Sequence, residues 1–556
     1  MTLTTRNGAA LSDVQRERLR ARIDAARREA PAVAVVPRQP GSSTLPASYQ
    51  QEQLWFVTQL QMPSAYGVHL AVPLAGPLDR VALTRALSEL VHRHETLRTV
   101  FVSQDAAVGQ IVGEASPVVL PLDDLSGLTA QAQEQLASEC RRAECEAPFV
   151  LAEGPLFRAR LIRFAADRHE LLLSFHHIIT DGWSIGLFLR ELAALYAAVM
   201  EGRSSPLPPL QVQFADYAIW QRAYLRDATL DSLRKYWRGQ LEGSRATALI
   251  PDRTRRAVPS VRAAVERVEL DSTAAARIKT LAQDSRATLF MTLFSAFNVL
   301  LHHWTGGTDL TVGTVVANRR HPALETLFGC FANVLPIRTR LERSMCFRDV
   351  VVSVRDACLG AYEHQELPFA LLVEQCAPGR DLGQNPLFQI VFSAVYGDGD
   401  PPKSAGVQFG PGHGVSETVR FDMEVQVAET PGATTVAFAY NAELFERATV
   451  ARLAECFRTM LCALAADPDQ RIDAIPLLDA ERRKALVGQG RGARPGYPEA
   501  SLGALFAAQV AARREAVALE CGATRLTYGA LDARANQVAQ ALRRAGVGLE
   551  SRVGVV

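Results

Sequence analysis

The stretch Leu171-Leu172-Leu173-Ser174-Phe175-His176-His177-Ile178-Ile179-Thr180-Asp181-Gly182-Trp183-Ser184 constrains this chain more than any other. Its short apolar opening suits a buried strand. Beyond Asp181-Gly182, the apolar residues Ile185, Phe188, Leu189, Leu192 and Leu195 step by three and four, which predicts an amphipathic helix with Ser184 as its N-cap. A strand therefore delivers His176 and His177 to a loop that turns at Gly182 into a helix. Neighbouring strand residues point to opposite faces, so only one of the two histidines can face a given pocket.

A neutral imidazole accepts or positions a proton around neutral pH. Asp181 either orients that ring or is locked in an ion pair that shapes the loop. Gly182 lets backbone approach a substrate closely, and amides near a helix start favour developing negative charge. A lone His-His pair is more often two ordinary histidines closing a buried strand. The full His-His-x-x-x-Asp-Gly string shifts the balance toward a site, as a hypothesis that the rest of the chain has to support.

At 556 residues the chain exceeds one ordinary core, which gives a prior of two to four domains. Sixty basic residues against 59 acidic ones leave no footprint for nucleic acid or an anionic membrane. Nine cysteines, none in a Cys-x-x-Cys pair, suit reduced thiols rather than a disulfide framework or zinc site. No run of about 18 uncharged apolar residues and no signal-peptide profile is present, so the expected location is the cytoplasm.

The opening string resembles the core motif of the condensation domains of non-ribosomal peptide synthetases, which join two carrier-bound acyl groups through an amide bond. Further strings resemble that family's motifs in the family's order. They are Ser48-Tyr49-Gln50-Gln51-Glu52-Gln53-Leu54-Trp55, then Arg93-His94-Glu95-Thr96-Leu97-Arg98-Thr99-Val100-Phe101, then Phe214-Ala215-Asp216-Tyr217-Ala218-Ile219-Trp220. After them come Phe328-Gly329-Cys330-Phe331-Ala332-Asn333-Val334-Leu335-Pro336-Ile337-Arg338, His364 to Phe369, and Arg380 to Leu387. Phe-Ala-Asn stands where the family usually has Phe-Val-Asn. The junction from Arg93 to Phe101 is expected to hold structural ion pairs, Asp216 to cap or pair, and Cys330 to be a packed thiol. Residues 501–556 resemble the opening of an adenylation domain, through Leu502, Leu505, Phe506, Val517-Ala518-Leu519 and Leu526-Thr527-Tyr528-Gly529-Ala530-Leu531, and this part stops before any ATP loop.

The resemblance implies an α/β (α+β) fold of two chloramphenicol-acetyltransferase-like lobes, a V-shaped pseudo-dimer with a central tunnel. The expected division is a leader or docking segment over 1–44, with a helix from Leu11 to Glu29, a first lobe over 45–240 and a second over 241–475. A linker over 476–500 and the truncated adenylation start complete it. The implied catalytic residues are His177, His176, Asp181 and Gly182, with His177 taking or positioning the amine proton and His176 supporting the loop. Arg319 is expected to pair with Asp181, although Asn318 stands where the family often has Gly and Arg320 is adjacent. Trp183, Ser184 and Asn333 are expected along the substrate tunnel, with Asn333 bonding either pantetheine or backbone. No metal or directly bound cofactor is implied. Phosphopantetheine arms arrive on an upstream donor carrier and a downstream acceptor carrier, and the rest of the adenylation domain is a further partner. Two relatives of the same fold compete: an epimerisation domain, which acts on one carrier-bound residue, and a non-catalytic recruitment domain, expected to have lost His177 or Gly182. A heterocyclisation domain, with aspartates in place of His176-His177, does not fit.

Overall fold

The computed structural model describes residues 35–38, 44–60, 66–104, 107–256, 262–376, 385–396, 403–414, 418–430, 433–490, 496 and 499–555. The expected helix from Leu11 to Glu29, and most of the Arg380 to Leu387 string, lie outside them. The chain divides into two compact units, Met1–Leu478 and Asp479–Val556.

The apolar run of the central string is the strand Arg168–His176, buried along nearly its whole length because it has neighbours on both edges and both faces. Gly67–Ala75 pairs with it antiparallel on one side and Phe157–Ala165 on the other. One face, with Leu171, Leu173 and Phe175, packs on helices Arg80–Arg93 and Gly182–Met200. Leu172 and Ala71, on the other face, meet Ala137 of helix Ala130–Glu146. Helix Gly182–Met200 is long and apolar enough to cross a bilayer by composition alone, but here Leu187, Phe188, Leu192 and Leu195 are core.

A second, six-stranded sheet runs in the order Asn333–Arg340, Asp309–Val316, Ile390–Tyr396, Met423–Thr430, Ala433–Asn441 and Ala263–Leu270. Helices Leu289–Thr305, Phe347–Glu363 and Arg447–Ala466 bury their apolar sides against one face of it, through Phe297, Val354 and Phe457. Met423, Val425 and Val427 point into that core. Glu424 and Gln426 alternate with them, so they lie on the face without those helices, beside Ala439 and Ala437 of the next strand.

Two details depart from the expected lobe boundaries. Helix Asp227–Leu241, expected to close the first lobe, buries Leu233, Trp237 and Leu241 in the second lobe's core. Those apolar side chains, each worth about 1.5–3 kcal/mol on burial, decide where it belongs. Conversely, a ribbon from the second lobe joins the first sheet: Val407–Phe409 and His413–Gly414 both pair antiparallel with Gly67–Ala75.

The expected ion pairs of the Arg93 to Phe101 junction are present. Arg93 and His94 both meet Glu191, the latter at 2.7 Å, and Thr96 reaches across to the carbonyl of Phe328 at 3.0 Å. Arg38 bridges Glu95 and Asp216, and Asp216 also accepts from the Gln213 amide in a capping box, so it both caps and pairs.

In the second unit, helix Ala480–Gly490 occupies part of the expected linker. Helix Leu502–Ala512, the hairpin Val517–Cys521 and Thr524–Thr527, and helix Tyr528–Arg544 follow. Val553 to Val555 form no strand, having no ladder partner among the described residues.

Candidate functional site

His176 closes its strand opposite Gly67, two positions from the cross-strand pair His69–Ser174. Period-two alternation puts it on the same face as Leu172, toward Phe149, whose ring it meets edge-on at 5.9 Å. Its Nδ1 accepts from the Ile178 amide at 3.1 Å, so the ring proton sits on Nε2, beside Thr58 Oγ1 at 3.4 Å. Burial, with the neighbouring His177 adding to it, holds this imidazole down to about 3. His176 is a neutral structural ring.

His177 leaves the strand and opens a one-turn 3-10 helix, His177–Ile179. Its amide donates to the Tyr66 carbonyl at 2.8 Å, and its Nδ1 is buried with no hydrogen-bond partner. Burial and then the Arg420 guanidinium pull its pKa down to about 4, against smaller opposing effects from the His177 and Thr180 backbone and from Asp181. The two histidines thus diverge, as alternation predicts, with the turn adding to the divergence.

Asp181, not the expected Ser184, caps helix Gly182–Met200: its Oδ1 accepts from the Ser184 amide at 2.8 Å. The carboxylate just before the helix outcompetes the hydroxyl, which is committed elsewhere. Ser184 Oγ donates to the Gly329 carbonyl at 2.8 Å and accepts from the Gly329 amide at 3.0 Å. Asp181 also binds Arg319 Nη2 at 2.9 Å through Oδ1, and the Phe331 and Ala332 amides at 3.0 and 3.2 Å through Oδ2. Arg319 is the partner rather than Arg320, which meets Glu366. The buried guanidinium also donates to Ser184 Oγ at 2.7 Å and lies 4.0 Å from the Phe331 ring centroid, a cation–π contact that offsets part of its desolvation. Burial still pulls its pKa below the usual arginine range.

Gly182 begins the helix with open space where a Cβ would stand. Trp183 is 43% exposed and bonds the Glu325 carbonyl through Nε1 at 3.0 Å. Asn333 is engaged with backbone on every side: Nδ2 donates to the Gln365 and Leu367 carbonyls at 2.8 and 2.7 Å, and Oδ1 accepts from the Phe369 amide at 3.0 Å. Of its two expected uses, this geometry is the backbone one. Cys330 is buried, and burial pushes its thiol up, away from the thiolate. Among the described residues no cluster of three His, Cys, Asp or Glu could hold a metal ion.

Sequence reasoning missed Tyr66, Arg420 and Glu424. Glu424 lies on the helix-free face of the second sheet, and Arg420 clasps it: the Arg420 amide meets Oε1 at 2.8 Å and Nη2 meets Oε2 at 3.2 Å. Both side chains retain surface accessible to water (38% and 22%). The Arg420 guanidinium disfavours a charge on the His177 ring, second to burial. The signal in the sequence was the alternation Arg420, Asp422, Glu424 at the entry of a strand, which puts charge on one face of a sheet.

The comparisons with known proteins fit this geometry. Residues 42–487 match the family profile described as "Condensation domain". The chain is 38% identical over 524 residues to a chondramide synthase of Chondromyces crocatus, covering 93% of this chain and 13% of that one. It is 36% identical to a linear gramicidin synthase of Brevibacillus parabrevis, over 92% of this chain and 10% of that one. The chain therefore spans only a small part of the length of these curated relatives. Among solved structures, the X-domain from teicoplanin biosynthesis superposes with a TM-score of 0.71 at 29% identity, over 80% of this chain and all of that one. The first condensation domain of the CDA synthetase, at 24% identity and a TM-score of 0.68 over 79% of this chain and all of that one, shows the same two-lobed, chloramphenicol-acetyltransferase-like fold. The chain belongs to the condensation domain family of non-ribosomal peptide synthetases.

Proposed function

We propose that this chain joins two carrier-bound acyl groups: the α-amine of an acceptor aminoacyl-carrier attacks the thioester of a donor acyl- or peptidyl-carrier. The observation that carries the reading is His177, a half-buried ring on a one-turn 3-10 helix whose Nδ1 has no hydrogen-bond partner, while His176, Asp181 and Ser184 of the same loop are all committed. The amine nitrogen bonds the thioester carbon, a tetrahedral intermediate forms, the carbon–sulfur bond breaks, and the proton lost by the amine ends on the departing sulfur as the pantetheine thiol. A ring held near 4 is a weak base but a permanently neutral hydrogen-bond acceptor at pH 7. His177 therefore aligns the amine N–H, and alignment of two tethered reactants supplies much of the acceleration. The Gly182 and Trp183 amides, ahead of the Ser184 amide that Asp181 caps, are read as the donors to the developing oxyanion. Asp181 and Arg319 hold the loop.

Both phosphopantetheine arms come on partner carriers, so the chain needs no bound cofactor of its own. The helix–hairpin–helix unit Asp479–Val556 is read as the opening of an adenylation domain. It is supported by the likeness of 93% of this chain to a four-domain synthetase, at 22% identity and a TM-score of 0.74. Nine free thiols support a cytoplasmic setting.

The test is an intact-mass assay of carrier loading. Donor acyl-carrier and aminoacyl-carrier are mixed with the native protein and with His177→Ala. Movement of the donor mass onto the acceptor carrier by the native protein alone is expected. A recruitment reading draws on the likeness to the teicoplanin X-domain, which has been solved in complex with OxyB. His177 and Gly182 both stand in this chain, and absence of transfer across several donors would favour that reading. Loss of α-deuterium from a single carrier-bound residue would mark epimerisation instead.

A further inference from the structure

Helix Phe214–Tyr224 of the first lobe and the loop after strand Asp309–Val316 of the second enclose a cleft, with Glu366 in its wall. The cleft shares that wall with the anchor of the histidine loop. Tyr217 lines it and packs its ring 4.6 Å from that of Phe331, whose amide holds Asp181. Arg319, the partner of Asp181, stands between Asn318 and Arg320, which both line the cleft. Its core is about 50 Å³, room for a few water-sized groups and so for a slender chain rather than a ring system.

The Asn318 carboxamide is the unsatisfied group of this wall. Its φ of 53° lies in the left-handed region, which Asn tolerates and where the Gly often found here in the family sits without cost. The residue is 7% exposed, and its side chain has no hydrogen-bond partner among the described residues. The polar groups around it are committed. Glu366 takes the Tyr224 hydroxyl at 3.1 Å and the Arg320 guanidinium at 3.5 Å. Gln221 donates to Gln50 and to the Tyr217 hydroxyl and accepts from the Tyr49 amide. His321 caps the turn Pro322–Glu325. A buried carboxamide without partners is costly, so the wall is built to receive something that pairs with it.

What it receives follows from the chemistry of the wall. Arg320 and Glu366 neutralise each other, so the cleft selects no net charge. Trp220 stacks on Tyr224 at 4.8 Å and offers a flat face to methylenes and planar groups. A carboxamide presents donors and an acceptor in one plane, and its complement is another amide. We propose that this cleft is a subsite for a neutral secondary amide within a substrate chain, read by Asn318 against the Trp220–Tyr224 face. The proposal rests on the reading of the protein as joining carrier-bound groups, since such substrates carry amides in the pantetheine arm and in a peptidyl group. A chain with Gly at this position lacks the reader, so Asn318 sets a preference among substrates and leaves the chemical step to the histidine loop.

The experiment is ligand binding followed by NMR of the tryptophan indoles, with the Trp220 signal assigned through Trp220→Phe. The probes are pantetheine and N-acetylglycine N-methylamide, one for each source of the amide. They are titrated into the native chain, Asn318→Gly and Asn318→Asp. Both substitutions suit a left-handed backbone, and melting temperatures check that the fold is kept. At least one probe is expected to move the Trp220 indole of the native protein, and Asn318→Gly should weaken its binding by about three- to tenfold. The probe that shows this dependence identifies the source. Asn318→Asp loses the donor and gains a charge, and should weaken binding at least as much. An indole that neither probe moves, equal affinity in Asn318→Gly, or tighter binding in Asn318→Asp overturns the proposal. Failure of the underlying reading looks different: the probes bind with the expected dependence on Asn318, yet no amide forms between any donor and acceptor carrier.

Discussion

At Asp181 one carboxylate takes four hydrogen bonds: from the start of its own helix, from Arg319, and from two amides of the Phe331 loop. Removing one member of a buried ion pair strands the other, at a cost of about 3–5 kcal/mol. Asp181→Ala is therefore expected to lose that much stability in urea unfolding, and an unchanged midpoint would contradict the role given to the pair. Two glycines near it predict opposite outcomes. A Cβ on Gly182 meets nothing within 4 Å, so Gly182→Ala should melt within a degree or two of the native protein while slowing amide formation by tenfold or more. A Cβ on Gly329 would stand 2.0 Å from the Phe214 ring, so Gly329→Ala should lower the melting temperature clearly as well. Activity loss with the same melting behaviour in both variants would refute this distinction. At this scale the residues of the central string were legible, but their partners less so. Ser184 looked like a cap because a hydroxyl before an apolar helix usually is one, and nothing local shows that Gly329 claims it. Arg319 was found through family resemblance, whereas Arg420 and Glu424, about 240 residues from His177, carried no motif.

Elements were read from periodicity, and periodicity served where one face met one core. Strand Arg168–His176 and helix Gly182–Met200 fall where their apolar patterns put them. The pattern cannot say which core an apolar stripe will meet, and so Asp227–Leu241 was assigned to the wrong lobe. The 3-10 turn His177–Ile179 is too short to have a period at all, yet it takes His177 out of the strand's alternation. Helix Gly182–Met200 is tied to the second lobe at its first turn by the Trp183 bond to the Glu325 carbonyl. Trp183→Phe keeps the ring and deletes that bond, which should cost about 0.5–1.5 kcal/mol in unfolding measurements. A variant as stable as the native protein would mean that water replaces the bond without loss.

Across the whole molecule, four imidazoles among the described residues are held below their ordinary value of about 6.5: His69 and His177 at about 4, His176 at about 3, and His169 as well, each chiefly by burial. Between those values and about 6.5 the unfolded chain binds more protons than the folded one, so stability rises with pH there. The protein should therefore lose melting temperature steadily as pH falls below about 6.5, and His69→Gln should flatten the fall. A melting temperature constant from pH 7 to pH 5 would show that these rings are less protected than their burial implies. The ribbon from Val407 to Gly414 has a consequence in time as well as in space. The edge of strand Gly67–Ala75 that it covers is made early in synthesis, and its cover is made more than three hundred residues later. At about 5–20 residues per second the ribosome leaves that edge exposed for some tens of seconds. During that interval the nascent first lobe offers an open strand to its neighbours on a polysome, the period in which a chaperone matters most to this protein.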